Sequence, residues 1–448
     1  MRSQTIRATI SFVGLFLFPF SSVFGLPLQS ADPSALGPEG SFLAVMPPIQ
    51  FAVDESLKKN VEFWIRVYSI YTSQQGLVHD AKYIDHVYEV LNFQDSDQKS
   101  SRQVKNSKKK WKAVLLSVHR KQKHPETMDT DEKRIFEMFQ DVHEPDKFLN
   151  AAHRKRLRFQ LGQKDRFLDG LYQSGRYLNA MEQIFKKEGM PLELTRLPFV
   201  ESSFNAKARS KVGASGIWQF MRSTARLFIK VGDAVDERND PVQATLAAAK
   251  LLRLNFESLK NWPLAVTAYN HGRKGMMRAV RKVGSDELEK VVTDYHQRSF
   301  GFASSNFFTE LLAAIEVEKN AEKYFGKVER AKPTDYLEVQ LPDFISAREL
   351  ATRLKFDLKG FRELNPAFTE AVYLGYLLIP ANYPVRIPSP QPRTEGRSVS
   401  FLDKDAALKS FWEQYAQIPP NFKLKAQRAS KYGTSDRSIR HRRRNRAS

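Results

Sequence analysis

Residues 191–326 carry helix signals almost without interruption, and this feature limits the possible folds more than any other. Asp240-Pro241 places a capping carboxylate before a proline at the first helical position, which is a strong helix start. Another helix begins at Pro263 and ends near Gly272, and a last amphipathic helix covers residues 307–324. The chain is therefore expected to be mainly α, with a helical domain at its centre.

The region before this domain is also expected to be helical. Apolar residues recur at helical spacing in residues 61–71 and 83–91, and a longer helical stretch covers residues 146–186. Residues 99–112 form a basic run without apolar periodicity, which indicates a loop or the solvated face of a helix. Residues 26–48 are rich in Pro, Gly and Ser, as is typical of a linker. We therefore assign residues 26–160 to a linker and a helical N-terminal region.

The pattern changes after Pro333. Residues 336–340 alternate like a strand, residues 347–354 and 358–364 have helical spacing, and residues 376–379 indicate a second strand. This order predicts a small α+β module of β-α-α-β type, over residues 333–388.

The first 25 residues have the layout of a secretory signal. Residues 1–7 are positively charged, residues 8–18 are mostly apolar, and small residues precede a plausible cleavage site at Gly25. The alternative is an uncleaved anchor, but a spanning helix needs about 20 apolar residues. We expect residues 1–25 to be a signal peptide, and the protein to be exported to the periplasm or cell envelope.

The charge balance favours an anionic partner. The 448 residues carry a formal net charge of +21, and the last segment, residues 389–448, ends in an arginine cluster at residues 440–446. We expect this segment to be a disordered tail that contacts an anionic wall polymer or membrane surface. An exported protein without a recognised basic and aromatic platform is not expected to bind nucleic acid.

Cysteine and histidine usage excludes several kinds of site. The chain has no cysteine, which excludes disulfides, zinc-thiolate sites and a lipid anchor on an N-terminal cysteine. The histidines show no metal-ligand spacing, and no calcium-binding loop is present. We expect neither a metal nor a cofactor, and a monomeric protein.

Three short motifs follow one another inside the helical domain. They are Leu197-Pro-Phe-Val-Glu-Ser-Ser-Phe-Asn205, Gly213-Ala-Ser-Gly-Ile-Trp-Gln219 and Ala268-Tyr-Asn270. In order and spacing they resemble the soluble lytic transglycosylases, relatives of goose-type lysozymes, and most of all the membrane-bound lytic transglycosylase D branch. The resemblance covers roughly residues 180–325. It implies a lysozyme-like helical catalytic domain, which we place at residues 161–326, acting on peptidoglycan glycan strands.

Glu201 has the surroundings that a general acid needs. Breaking a glycosidic bond requires a carboxylic acid that is still protonated near neutral pH, and an apolar environment raises a carboxyl pKa. Phe199, Val200 and Phe204 flank Glu201 in the sequence. No second acid lies at a motif position, whereas many glycosidases pair two carboxylates. Glu201 is the predicted catalytic residue.

The resemblance also implies a particular reaction. Glu201 would protonate the oxygen between N-acetylmuramic acid and N-acetylglucosamine, and the substrate's own N-acetyl group would stabilise the cation. Glu201 would then take the proton of the sugar's 6-hydroxyl, which gives a 1,6-anhydro product. Two alternatives stay open: hydrolysis of the same bond by a lysozyme-like route, and a non-catalytic peptidoglycan-binding protein.

Six further positions lie in the family's motifs and are predicted to bind substrate: Ser202, Gly216, Trp218, Gln219, Tyr269 and Asn270. Trp218 stands where the family pattern usually has methionine. Ser202 is expected either to bond Glu201 or to cap the following turn. Gly216, together with Gly213, would let the backbone approach the sugar, or simply form a turn. Trp218 would stack on a sugar face or lie in the core. The amide of Gln219 suits an N-acetyl group, while Tyr269 and Asn270 could orient the acid or hold the cation.

The chain departs from the family in its last helix. Where the family has a tyrosine, this sequence has Asn306-Phe307-Phe308, so that hydroxyl is missing.

The C-terminal module resembles a diverged LysM module, a small glycan-binding fold, through Leu364-Asn365-Pro366 and Leu378-Ile379-Pro380. The usual Gly-Asp-Thr-Leu opening is absent. We weigh two roles for this module: a wall-binding domain, or a structural cap on the catalytic domain.

Overall fold

The computed structural model describes residues 55–93, 97–388, 404–419 and 423–424. The predicted signal peptide and the arginine cluster of the tail lie outside these residues. The chain divides into two compact units. Among the described residues, unit 1 contains Ala206–Ala247 and those from Lys332 onward, and unit 2 contains those up to Asn205 and Ala248–Ala331.

The described residues are mainly helical, as predicted. The helices are α1 (Glu55–Ser69), α2 (Asp97–Lys121), α3 (Thr130–Met138), α4 (Lys147–Ala151), α5 (Lys164–Ser174), α6 (Leu178–Lys187), α7 (Leu197–Ser202), α8 (Arg222–Ala225), α9 (Pro241–Leu259), α10 (Trp262–His271), α11 (Arg273–Val283), α12 (Leu288–Asp294), α13 (Phe302–Lys319), α14 (Ala321–Phe325), α15 (Ala347–Arg353), α16 (Leu358–Leu364), α17 (Glu370–Tyr373) and α18 (Lys404–Ala416). The strands are β1 (Gln75–Asp80), β2 (Val87–Asn92), β3 (Leu157–Leu161), β4 (Tyr336–Gln340), β5 (Phe344–Ile345), β6 (Pro384–Pro388) and β7 (Lys423–Leu424).

Unit 2 contains a three-stranded antiparallel sheet that the sequence did not predict. The strand order is β2-β1-β3, and Val78 of β1 lies opposite Glu89 on one side and Phe159 on the other. The helical predictions for residues 83–91 and 146–186 are therefore wrong in part, because β2 and β3 lie inside these stretches. Pairing with β1 decides the strand conformation, and this pairing is invisible to a local apolar period.

The basic run at residues 99–112 lies in α2. Of the two predicted alternatives, the solvated helix face is the observed one. Trp111, Leu115 and Val118 follow at helical spacing and are buried together with Val78 of the sheet. The lysines of the run lie on the other faces of the helix. Helix α2 therefore covers the sheet with its apolar face and exposes charged side chains to water.

A buried asparagine joins the first and last long helices of unit 2. Asn306 of α13 accepts hydrogen bonds through Oδ1 from Asn60 Nδ2 at 3.0 Å and from Trp64 Nε1 at 3.3 Å, both on α1. Its own Nδ2 donates to the Phe302 carbonyl at 3.0 Å. Because the amide is used on both sides, α1 and α13 are fixed in register. Helix α13 also packs against α7 and α10.

The C-terminal module of unit 1 begins with strand β4 and ends with strand β6, as in a β-α-α-β unit, but β5 and α17 lie between them and were not predicted. Strand β4 pairs antiparallel with β6, so that Leu337 lies opposite Ile387. The prediction of a strand at residues 376–379 is wrong: Ile379 makes only an isolated bridge to Ile345. Strand β6 was not predicted because the prolines at both of its ends resemble a linker, although an edge strand such as this one accepts proline.

Part of the predicted disordered tail is ordered. Helix α18 lies within it, and Phe411, Tyr415 and Ile418 are buried in the same apolar core as Leu337. The prediction of disorder for all of residues 389–448 is therefore wrong for residues 404–419. In the ranges described above, no helix is both long and apolar enough to cross a membrane.

Candidate functional site

Glu201 lies in the last turn of the short helix α7. Proline at the second helical position starts this helix, and Ser203 ends it in the left-handed region with φ 50°. The Ser203 and Phe204 amides donate to the carbonyls of Phe199 and Pro198 at 3.2 and 3.0 Å, which closes the helix end. The motif therefore places the Glu201 carboxyl at a fixed, abrupt turn of the chain.

The surroundings of Glu201 are apolar, as the flanking sequence predicts. The Phe199 ring stacks on Phe167 with centroids 4.7 Å apart and meets Phe204 edge-on at 4.6 Å. All three rings are buried. Burial raises the pKa of Glu201 to about 8. A carboxyl of this kind keeps its proton at neutral pH and can donate it to a leaving oxygen.

A second carboxyl, Glu310, interacts electrostatically with Glu201, and the sequence did not predict it. Glu201, Glu310, Tyr68 and Tyr269 are here called the acid cluster. Burial, followed by the charge of Glu201, raises the pKa of Glu310 to about 8. Glu310 lies on α13, three residues after Phe307 of the Asn306-Phe307-Phe308 stretch, and so on the same side of the helix as Phe307. That i, i+3 spacing is the signal that could have drawn attention to it.

Two tyrosines complete the cluster. Tyr68 at the end of α1 is buried, and burial together with the charges of Glu310 and Glu201 raises its pKa well above the usual range. Burial and the charge of Glu201 do the same to the pKa of Tyr269. Both phenols therefore stay protonated at any physiological pH and can serve as hydrogen-bond donors. Tyr68 was also missed, because nothing in α1 by itself points to the site.

The Ala268-Tyr269-Asn270 motif lies at the end of α10 and faces α13. The Tyr269 ring is parallel to Phe307 of α13, with centroids 6.3 Å apart, so Phe307 supports Tyr269. Asn270 is exposed, and its Oδ1 accepts a hydrogen bond from Ser304 Oγ at 2.8 Å. Ser202 is buried and donates to the Pro198 carbonyl at 3.3 Å, which is a bond within α7.

Residues 213–220 form a tight turn in unit 1, here called the substrate turn. Trp218 is wholly buried, and its Nε1 donates to Thr245 Oγ1 at 2.9 Å. The prediction that Trp218 contacts substrate is therefore wrong, because a ring without exposed surface cannot stack on a sugar. The core alternative is the observed one.

Gly216 and Gln219 also have structural tasks in this turn. Gly216 has φ 79°, and a Cβ built on it would lie 1.7 Å from the Arg238 carbonyl oxygen. The close approach predicted for Gly216 is thus to the chain's own backbone. Gln219 Nε2 donates to the carbonyls of Gly216 at 2.8 Å and Ala208 at 3.2 Å, which ties the turn to the preceding segment. Gly213 also has a positive φ, 92°.

The acid cluster contains donors, acceptors and two neutral carboxyls, but no set of metal ligands. In residues 55–93, 97–388 and 404–419, no group of three or more His, Asp or Glu side chains is arranged so that it could hold a metal ion. What the cluster can do chemically is to give a proton from Glu201 inside a dry site and take one back.

Residues 179–292 match the family of transglycosylase SLT domains. The chain is 35% identical over 141 residues to the membrane-bound lytic murein transglycosylase D of Escherichia coli strain K12, which is 31% of this chain and 30% of that protein. It is 31% identical over 109 residues to a putative tributyltin chloride resistance protein of Alteromonas sp. strain M-1, which is 24% of this chain and 53% of that protein. The chain thus covers less than two thirds of either relative.

Among solved structures, the chain is similar to the 70 kDa soluble lytic transglycosylase from Escherichia coli, with 19% identity and a TM-score of 0.28. That similarity covers 34% of this chain and 25% of the other. The SLT match includes Glu201, the substrate turn, Tyr269 and Asn270, and it ends before Glu310 and the C-terminal module.

Proposed function

We propose that this chain cleaves the glycan strands of peptidoglycan, because residues 179–292 match the transglycosylase SLT domain. The bond is the β-1,4 bond between N-acetylmuramic acid and N-acetylglucosamine, Glu201 acts as acid and then as base, and the product ends in 1,6-anhydro-N-acetylmuramic acid. The observation that carries the proposal is a glutamic acid in the motif position whose burial raises its pKa to about 8.

In the first step Glu201 gives its proton to the bridging oxygen while the bond to the muramic carbon breaks. A neutral carboxyl is the form required, and burial supplies it at pH 7. The substrate's N-acetyl group stabilises the cation from the opposite side. Tyr269, protonated throughout, orients the acid from the neighbouring helix α10.

In the second step the Glu201 carboxylate takes the proton of the muramic 6-hydroxyl, whose oxygen closes onto the cationic carbon. The nucleophile arrives on the substrate, so that one well-placed protein group serves both steps. The new charge on Glu201 raises the pKa of Glu310, which keeps Glu310 neutral while Glu201 is the base.

A hydrolase of the same bond is the second candidate, and Glu310 is the observation that raises it. Hydrolysis by a carboxyl pair needs one protonated and one ionised group, in environments that push the two pKa values apart. Here burial raises the pKa of both Glu201 and Glu310 to about 8. Two neutral acids are poorly suited to activate water, which supports the intramolecular route.

Export and wall association belong to the same proposal. A substrate in the cell wall requires a signal at residues 1–25 and a location in the periplasm or envelope. The cationic residues 440–446 would add a salt-sensitive attraction to anionic wall polymer or membrane surface, because exposed charges are screened within about 8 Å at physiological salt. Wall association could also involve the C-terminal module, for which a glycan-binding role stays a prediction.

The test is digestion of purified sacculi by the wild type, by Glu201→Gln and by Glu193→Gln, with products separated and identified by mass spectrometry. We expect anhydro-muropeptides from the wild type and from Glu193→Gln, which changes a nearby acid outside the cluster. Glu201→Gln keeps the shape and removes the proton, so its rate falls by about 10² to 10⁴. Release by Glu201→Gln at the wild-type rate would refute the assignment.

A further inference from the structure

The C-terminal module, residues 336–388, holds the segment that follows the substrate turn. This segment, residues 233–240, is here called the connector. The Asp236 amide donates to the Ala367 carbonyl at 2.7 Å, and the Thr369 amide donates to the Ala234 carbonyl at 3.0 Å. Val235 is buried in the apolar core that the module builds around Leu337 and Phe368. The connector therefore completes the module, as an added strand and core residue would.

Two polar ties at the far end of the connector are also withdrawn from water. Tyr383 Oη donates to Glu237 Oε1 at 3.1 Å. Arg386 Nη1 donates to Asp240 Oδ2 at 2.7 Å, and the two side chains are only 11% and 5% exposed. Asp240 in turn caps α9 by accepting from the Val242 amide at 2.9 Å. A buried ion pair is expensive to break from one side, so the module and the connector separate only at a large cost.

Arg238 connects the connector to the substrate turn. Its Nε and Nη2 donate to the two carboxylate oxygens of Asp236 at 2.9 and 2.7 Å. Its Nη1 donates to the carbonyls of Gly213 at 2.8 Å and Phe220 at 3.0 Å, the first and last residues of the turn. One planar guanidinium thus binds both ends of the turn and the Asp236 carboxylate, and the backbone amide of Asp236 is bound to the module.

We propose that the C-terminal module is a brace for the substrate turn, and that Arg238 is the positioning residue through which the brace acts. The part that concerns glycan binding rests on the proposed function. In this role the module increases the affinity for glycan indirectly, by holding the turn in one conformation. A wall-binding domain on a free linker needs none of the buried contacts between the module and the connector.

The first test is Arg238→Lys in the full-length protein. Lysine keeps the positive charge, but it cannot bind Asp236 and both turn carbonyls at once. For soluble glycan oligomers we expect KM to rise about tenfold with kcat within a factor of three, because the turn binds and Glu201 reacts. A merely structural defect would lower the apparent kcat through loss of folded molecules and leave KM unchanged.

The second test changes the module side. Arg386→Lys and Tyr383→Phe each weaken one tie to the connector, and Arg353→Lys is the matched control, since its pair with Glu349 is exposed on α15. Amide hydrogen exchange reports the local opening of each segment. In both test variants we expect exchange in residues 213–220 to become at least threefold faster, with residues 197–202 of unit 2 unchanged. The control should match the wild type throughout.

Two results would overturn the brace. One is faster exchange in the module without any change in the substrate turn, and the other is an unchanged KM in Arg238→Lys. If the wild type releases no product from glycan, the proposed function fails. In that case the exchange measurement still decides whether the module holds the turn.

Discussion

Glu201 in unit 2 and the substrate turn in unit 1 both lie within the match to the transglycosylase SLT domain, but different forces hold them. Phe199, close to Glu201 in the chain, stacks on Phe167, and desolvation of the partly exposed Glu201 carboxyl raises its pKa. The substrate turn is held by hydrogen bonds to its own carbonyls, from Arg238 and Gln219. Proton chemistry needs a low dielectric, whereas a binding turn needs a fixed backbone.

This difference predicts different responses to substitution. A substitution of the Glu201 side chain should abolish proton transfer without disturbing the backbone. The substrate turn should instead respond to substitutions that alter its packing or hydrogen bonding, even when they introduce no charge. The predictions below separate the two regions on this basis, beginning with the largest effect.

Gly216→Ala should destabilise the protein by at least about 3 kcal/mol. The methyl group would overlap the Arg238 carbonyl, and an alanine is strained at φ 79°. Denaturant unfolding measures the change. Gly284→Ala is a useful control, because it has a similar φ of 75° and open space around it, so that it bears the conformational strain alone. Equal losses in the two variants would show that Gly216 is not held by a close backbone contact.

Glu310→Gln should stabilise the protein by about 3 kcal/mol at pH 7 and leave it unchanged at pH 4. The folded-state pKa of Glu310 is raised to about 8, above the ordinary value of 4.5. Below pH 4.5 the group is neutral in both states. Between pH 4.5 and 8 only the unfolded chain releases the proton, so stability falls as pH rises. Glutamine cannot ionise and escapes this loss.

Unfolding curves of both proteins at several pH values test this sign. Glu316→Gln on the same helix serves as the control and should not gain stability with rising pH. A loss of stability in Glu310→Gln at pH 7 would contradict a neutral, buried carboxyl at this position.

The same Glu310→Gln variant should have only a small kinetic effect, with kcat reduced less than tenfold. Burial itself raises the pKa of Glu201, so the alkaline limb of the pH–rate profile should stay near pH 8. A loss of a hundredfold or more, with reducing sugar ends among the remaining products, would identify Glu310 as a base that activates water. The hydrolase would then be the better proposal.

The sequence predicted the mainly helical fold because helix signals are local patterns, and the catalytic role of Glu201 stays a prediction. Strand β3 was missed because its conformation depends on pairing with β1, and β6 because its prolines resemble a linker. The role of Trp218 was predicted wrongly, since burial is a property of the packed fold. Tyr68 and Glu310 belong to α1 and α13, which lie far apart in the sequence. No local motif therefore indicates that both side chains lie near Glu201.

The account depends most on a single quantity, the protonation state of Glu201 in the folded protein. It can be measured by infrared difference spectroscopy of the wild type against Glu201→Gln, which isolates the carbonyl band of this protonated carboxyl. We expect the band to be present at pH 7 and to disappear with a midpoint near pH 8. A carboxyl that is already ionised at pH 6 would contradict a dry general acid, whatever the products of the reaction.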